Sequence, residues 1–207
     1  MSPTVDALLP LSFLEAVRHV DAPDEDPAEL VSDLRNKRLG LSETVYNQIK
    51  RFTDAVKRRQ RTSHDEAVGL ATLIGRRPDA EAVFRAAGRY LAVEAYQSIS
   101  PVTRRLLLVL PSLLTRPIAL RHCRRLSSRY FNGRVTRTGS SIYLEVTRSV
   151  TANSAQRSIG CTYYEAGLKE LLRLMVNSVG GVEHVRCNAR GEGSCSWRAE
   201  WRPSKSE

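Results

Sequence analysis

Three cysteines and a histidine near the C-terminal end, Cys161, His184, Cys187 and Cys195, are the residues whose types and spacing could do chemistry, in the linear pattern C-x22-H-x2-C-x7-C. Thiolate and imidazole are donors that Zn²⁺ prefers, and a Cys3His set fills a tetrahedron with no position left for water. The chemistry expected is therefore structural, with zinc as the cofactor. Gly191 and Gly193 lie in the seven-residue stretch between the last two cysteines and can take the positive φ of a sharp turn. The spacing also makes a demand. Residues 184 and 187 leave opposite faces of a regular strand, so both can ligate only if the strand bulges or ends there. A competing reading keeps the cysteines as ordinary interior residues, because free cysteine is among the most buried types, with His184 hydrogen-bonded at a strand edge. His122 and Cys123, adjacent on a helix, diverge by about 100° and read as surface and core.

The elements that must position these residues divide the chain. From Pro27 to Tyr130 the pattern is helical nearly throughout. "SHDE" (Ser63–Glu66) reads as a reciprocal capping box that starts a helix ending near Gly75. The next helix is expected to carry Pro78 in its first turn, with Val83, Phe84, Ala87, Leu91 and Ala95 as a core stripe, and to close at Ser100-Pro101. Pro111 and Pro117 are expected to break the following apolar stretch into short pieces before a basic amphipathic helix, "PIALRHCRRLSSRYF". After Tyr130 the period changes to two. "GRVTRTGSSIYLEVTRSV" predicts two strands joined at Gly139-Ser140, with Ile142, Leu144 and Val146 on one face. A helix from Cys161 then places Tyr164, Leu168, Leu171 and Met175 on one side and stops at Gly180-Gly181. Strands over Val182–Cys187 and Cys195–Trp201 complete a β-β-α-β-β order. The fold class expected is α+β: a four-stranded antiparallel sheet in the C-terminal half, packed with helices and preceded by an α-helical N-terminal region.

The net charge of +10 is unevenly distributed. Met1–Leu34 holds eight acids and one base, whereas Arg35–Arg129 holds twenty bases and seven acids. An acidic arm, Asp6 to Asp33, is thus expected to pack on the basic helices of its own chain or a partner's. A basic helical block also leaves nucleic-acid binding open, since a high pI supports electrostatic association without identifying the ligand. No apolar run approaches the roughly 20 residues of a membrane-spanning helix, and no secretory leader is evident, so a cytoplasmic location with reduced thiols is expected.

The stretch Cys161–Trp201, with "CTYYEAGLKELLRLMV", "VEHVRC", a glycine-containing turn and "CSWRAEW", resembles the end of 4-vinyl reductase-like domains. That superfamily is shared with TRAPP-type trafficking subunits and the sensor domains of phenol-responsive bacterial regulators. The resemblance implies metal ligands at a cysteine before the last helix, an acidic residue, a cysteine three positions later and another eight beyond. These positions fall on Cys161, His184, Cys187 and Cys195, with histidine in place of the acid and Glu183 adjacent as a substitute. It also implies a bacterial, dimeric module with a pocket between sheet and helices for a small apolar or aromatic molecule. Phe84, Leu91, Tyr96, Tyr164, Leu168 and Met175 are candidates for its walls, or else simply fill the core. On this reading residues 1–70 form an N-terminal helical region with the acidic arm, and residues 71–207 the ligand-binding domain.

No nucleotide-binding glycine fingerprint, P-loop, nucleophile elbow or paired-histidine metalloprotease motif occurs. A reductase also needs an electron source, and none is visible. The function expected is a small-molecule-binding or regulatory module with a structural zinc site, more a binder than an enzyme. The alternatives are a nucleic-acid-associated basic helical protein and a tetrapyrrole vinyl reductase or carrier.

Overall fold

A computed structural model describes residues 3–22, 42–110, 112–177 and 180–200. Its centre is the helix with the apolar stripe. Helix α4 (Ala80–Gln97) buries Val83, Phe84, Ala87, Leu91 and Ala95 completely. Helix α7 (Thr162–Val176) lies against one side of it and α1 (Leu8–Asp21) against another. The α4–α7 crossing is close because glycines sit in it. A Cβ on Gly88 would lie 2.0 Å from the Tyr163 carbonyl oxygen, and one on Gly167 would lie 3.2 Å from the Gly88 carbonyl oxygen and 2.4 Å from the ring of Phe131, which belongs to neither helix.

Four further helices complete the α layer among the described residues: α2 (Glu43–Lys57), α3 (His64–Gly75), α5 (Pro101–Val109) and α6 (Ser112–Tyr130). A short antiparallel pair, β1 (Thr4–Asp6) with β2 (Arg61–Ser63), ties the start of the chain to the α2–α3 connection, a pairing the helical pattern had hidden. The main sheet is antiparallel in the order β3-β4-β6-β5, with β3 (Arg134–Thr138), β4 (Ser141–Val146), β5 (Val182–Arg186) and β6 (Cys195–Glu200). This is the α+β architecture expected, with the sheet in the C-terminal half. Ile142, Leu144 and Val146 pair with Ala199, Trp197 and Cys195, and all six side chains are buried on the face that meets the helices. The pleat that buries the apolar residues of β4 thus delivers Cys195 and Trp197 to the interior.

Several local expectations change. Ser63 does cap α3, but its hydroxyl accepts from the Asp65 N–H, and the Glu66 carboxylate turns instead to the Thr62 hydroxyl and Arg51. Pro78 precedes α4, whose N-cap is Asp79. Pro117 does not break its segment; it sits inside α6. An interior proline removes one backbone bond, and the apolar contacts of a 19-residue helix outweigh that local loss. Helix α7 ends before the glycines, at Asn177 in the left-handed conformation, where asparagine is the commonest substitute for glycine. Pro111, Trp201 and five of the arm's eight acids lie outside the described residues. Of that arm, Asp6 pairs with Arg129 of α6 at 3.2 Å and Asp21 with Arg77 at 3.0 Å, both within the chain. One continuous core runs from Val5 to Ala199. No described helix is long and apolar enough to cross a membrane.

Candidate metal centre

Four segments converge at one end of the sheet. Cys161 closes a 3-10 turn (Gln156–Cys161) and is the N-cap residue of α7. That turn is pressed onto its neighbours at Gly160, where a Cβ would lie 2.1 Å from the Thr151 carbonyl oxygen. Cys195 opens β6 and faces inward opposite Val146. His184 and Cys187 come from β5 by the route their spacing required. His184 pairs with Trp197, but Arg186 pairs with Ser196, so the register shifts between them and Val185 is left over. The strand then ends, and Cys187 leads into a 3-10 turn (Asn188–Arg190). The bulge and the strand end together turn both side chains to the same point. Gly191 and Gly193, at φ +82° and +75°, reverse the chain back to Cys195.

The result is one ligand atom each from Cys161, His184, Cys187 and Cys195, all within 4.8 Å of one another. The Cys161 and Cys187 sulfurs are 3.9 Å apart. A tetrahedral ion with metal–sulfur bonds of about 2.3 Å sets its sulfurs about 3.8 Å apart, close to the Cys161–Cys187 distance. The three cysteines are buried and free of disulfides. His184 is half-buried, and its Nε2 is buried without a hydrogen-bond partner, as a ring nitrogen awaiting a ligand would be. Its ring stacks on Trp197 at 4.9 Å and 12°, which fixes its plane. Around the cluster, the Asn188 N–H donates to the Cys195 sulfur at 3.3 Å and the Ser158 hydroxyl lies 3.3 Å from that of Cys187. The Cys187 N–H donates to the Glu192 carboxylate. Outer contacts of this kind orient ligands and tune their basicity.

The electrostatics are those of a cluster sharing protons. Hydrogen bonding from Cys161 holds Cys195 down to about 4 against the opposing effect of burial, with His184 and the Asn188 N–H helping. The same bond to Cys195, together with burial, pushes Cys161 far above the usual thiol range. A divalent ion bound at this point would displace the proton that Cys161 retains.

Glu183 is not a substitute ligand. The pleat turns it outward, where it is 63% exposed and pairs with Arg198 at 2.7 Å. Of the candidate pocket walls, Phe84, Leu91, Tyr164, Leu168 and Met175 are at most 2% exposed and belong to the continuous core, with Tyr96 partly buried against it. Cavities at the surface are lined by other residues, among them His122 beside Arg125 and Arg129. Cys123 is fully buried. Trp197 is the site residue the sequence reading missed, although it lies two positions after Cys195 on the same pleated face. Tyr164 packs on its ring at 4.9 Å as well. No protein-family model matches the chain, and a search of curated proteins gives no significant match.

Proposed function

We propose that the protein is a binding or regulatory module of the 4-vinyl reductase-like type, in which Cys161, His184, Cys187 and Cys195 hold one structural Zn²⁺. The observation that supports this most is the convergence of three sulfurs and an imidazole, from segments far apart in sequence, within 4.8 Å. Soft thiolates with imidazole in a tetrahedral set favour zinc over the harder divalent ions. Because the protein fills all four positions, no bound water is activated. The ion acts as a clamp, pinning the β5–β6 hairpin to the start of α7. The β-β-α-β-β order and the resemblance of Cys161–Trp201 support the class, in which a small apolar or aromatic ligand enters between sheet and helices. In this chain such a ligand would have to displace side chains around Tyr164, Leu168 and Met175 that are now close-packed.

The test is native mass spectrometry with elemental analysis of protein purified without chelator. One zinc per chain is the expected result, and the same spectrum reports any co-purified apolar ligand and a homodimer. Metal-free protein that gains no thermal stability on zinc addition would return the four residues to the role of ordinary interior side chains. Zinc without a ligand or dimer would retain the clamp and remove the sensor.

A further inference from the structure

The exposed large apolar residues are concentrated at one corner. Val102, Leu106, Leu108 and Val109 of α5 and Leu114 of α6 are 69, 44, 75, 82 and 57% exposed. Val102, Leu106 and Val109 follow the i, i+4, i+7 spacing of one helix face. The Thr115 hydroxyl donates to the Leu110 carbonyl at 2.9 Å, tying the end of α5 to the first turns of α6 and keeping Val109 and Leu114 at the same corner.

The charge along this segment has one sign. Between Pro101 and Phe131 there are seven arginines and no acid. Of the seven, only Arg129 makes an ion pair among the described residues. Arg105 on α5 and Arg121, Arg124 and Arg125 on α6 are exposed. Arg134, on the neighbouring edge strand β3, is also exposed and lines a groove with Arg124, where Glu145 is the one acid among the lining residues.

We propose that the α5–α6 corner is a docking surface for an anionic lipid bilayer, with the aliphatic tips entering the headgroup–acyl boundary and the arginines holding lipid phosphates. A peptide partner needs a groove for its apolar anchors, whereas Leu108 and Val109, at 75 and 82% exposure, protrude. Single-stranded nucleic acid is held by stacking bases on aromatic rings and duplex nucleic acid by phosphate contacts. Neither gains from five exposed aliphatic side chains. A bilayer uses both halves of the surface, and unpaired arginines at its edge each add attraction to an anionic leaflet. Since no described helix can span, attachment is peripheral and reversible.

The full chain should co-sediment with phosphatidylcholine vesicles containing phosphatidylglycerol and remain in solution with pure phosphatidylcholine. Leu108→Ser with Val109→Ser alters only exposed side chains and should keep the circular dichroism spectrum while lowering partitioning on the order of tenfold. Arg121→Gln with Arg124→Gln should lower it roughly fivefold per arginine. Equal binding to neutral vesicles, or none to anionic ones, overturns the proposal. So does a Leu108/Val109 variant that binds vesicles like the parent while duplex DNA competes, which would assign the arginines to a nucleic acid. A fall in oligomer mass for that variant without vesicles, with vesicle binding unchanged, would assign the corner to a second copy.

Discussion

The three cysteines and the histidine differ in what each loses on substitution. Cys187 is flanked by the Cys161 sulfur and the Ser158 hydroxyl and cannot be bypassed, so Cys187→Ser should release about one metal per chain. It should also destabilise the fold by several kcal/mol, because metal affinity is folding free energy. His184→Ala leaves three sulfurs and admits water at the fourth position. It should retain metal but lose it to chelator faster, and forfeit about 0.5–1.5 kcal/mol of stacking on Trp197. Metal content and the rate of chelator stripping check both. A His184→Ala protein with wild-type stripping kinetics would remove the imidazole from the ligand set. Proton competition has a definite sign: Cys161 holds its proton far into the alkaline range without metal, so metal entry releases protons and affinity falls as pH falls. Titration from pH 8 to 5 should show progressive zinc loss, and a flat profile would argue against thiolate ligation. The ligand types were legible in the sequence because side-chain chemistry is local. That Glu183 turns away corrects the expectation that it could substitute for His184, and it follows from the same pleat that directs His184 inward.

Among the elements, the α4–α7 crossing depends on an absent side chain. Gly88→Ala raises helix propensity by up to about 1 kcal/mol, yet its methyl would overlap the Tyr163 carbonyl at 2.0 Å. Overpacking against backbone costs about 1–3 kcal/mol, so a net loss is expected, read as a fall of several degrees in Tm. A variant as stable as the parent would show that the two helices can separate freely. Glu66 joins α2 to the start of α3. Burial raises its pKa, but the Thr62 hydroxyl and Arg51 outweigh this and hold it below the usual carboxylate value. Stability from a depressed carboxylate is present above the unfolded pKa of about 4.3 and is lost as pH falls through the folded value. Glu66→Gln should therefore cost under about 1 kcal/mol at pH 7, since solvent screens Arg51, and less near pH 3. Denaturant midpoints at the two pH values test it. An equal loss at both would assign Glu66 a packing role. At this scale Pro117 was misread because proline's cost is local, whereas the packing that overrides it along α6 is tertiary.

For the whole molecule, the N-terminal helix and the C-terminal sheet share one core, and Arg77 is a tie across it. Arg77 lies before α4 and reaches the Asp21 carboxylate at the end of α1, which is 4% exposed, and also Asp79. Arg77→Met leaves a buried carboxylate without its guanidinium and should cost roughly 3 kcal/mol. With α1 built into the core, fluorescence and far-ultraviolet circular dichroism should report one coincident unfolding transition for parent and variant alike. Two separated transitions would support a boundary near residue 70. The sequence by itself determined the α+β class, the strand pair at Gly139-Ser140, the core stripe of α4 and the four candidate ligands. Periodicity, turn chemistry and donor type are properties of short segments. Only the tertiary structure decided that β1 meets β2, that Gly88 and Gly167 set the distance between two helices, and that Trp197 walls the candidate metal centre. Tyr164, Leu168 and Met175 also became packed core only there. An apolar face looks the same in sequence whether it lines a cavity or fills one, and only the element laid against it makes the difference.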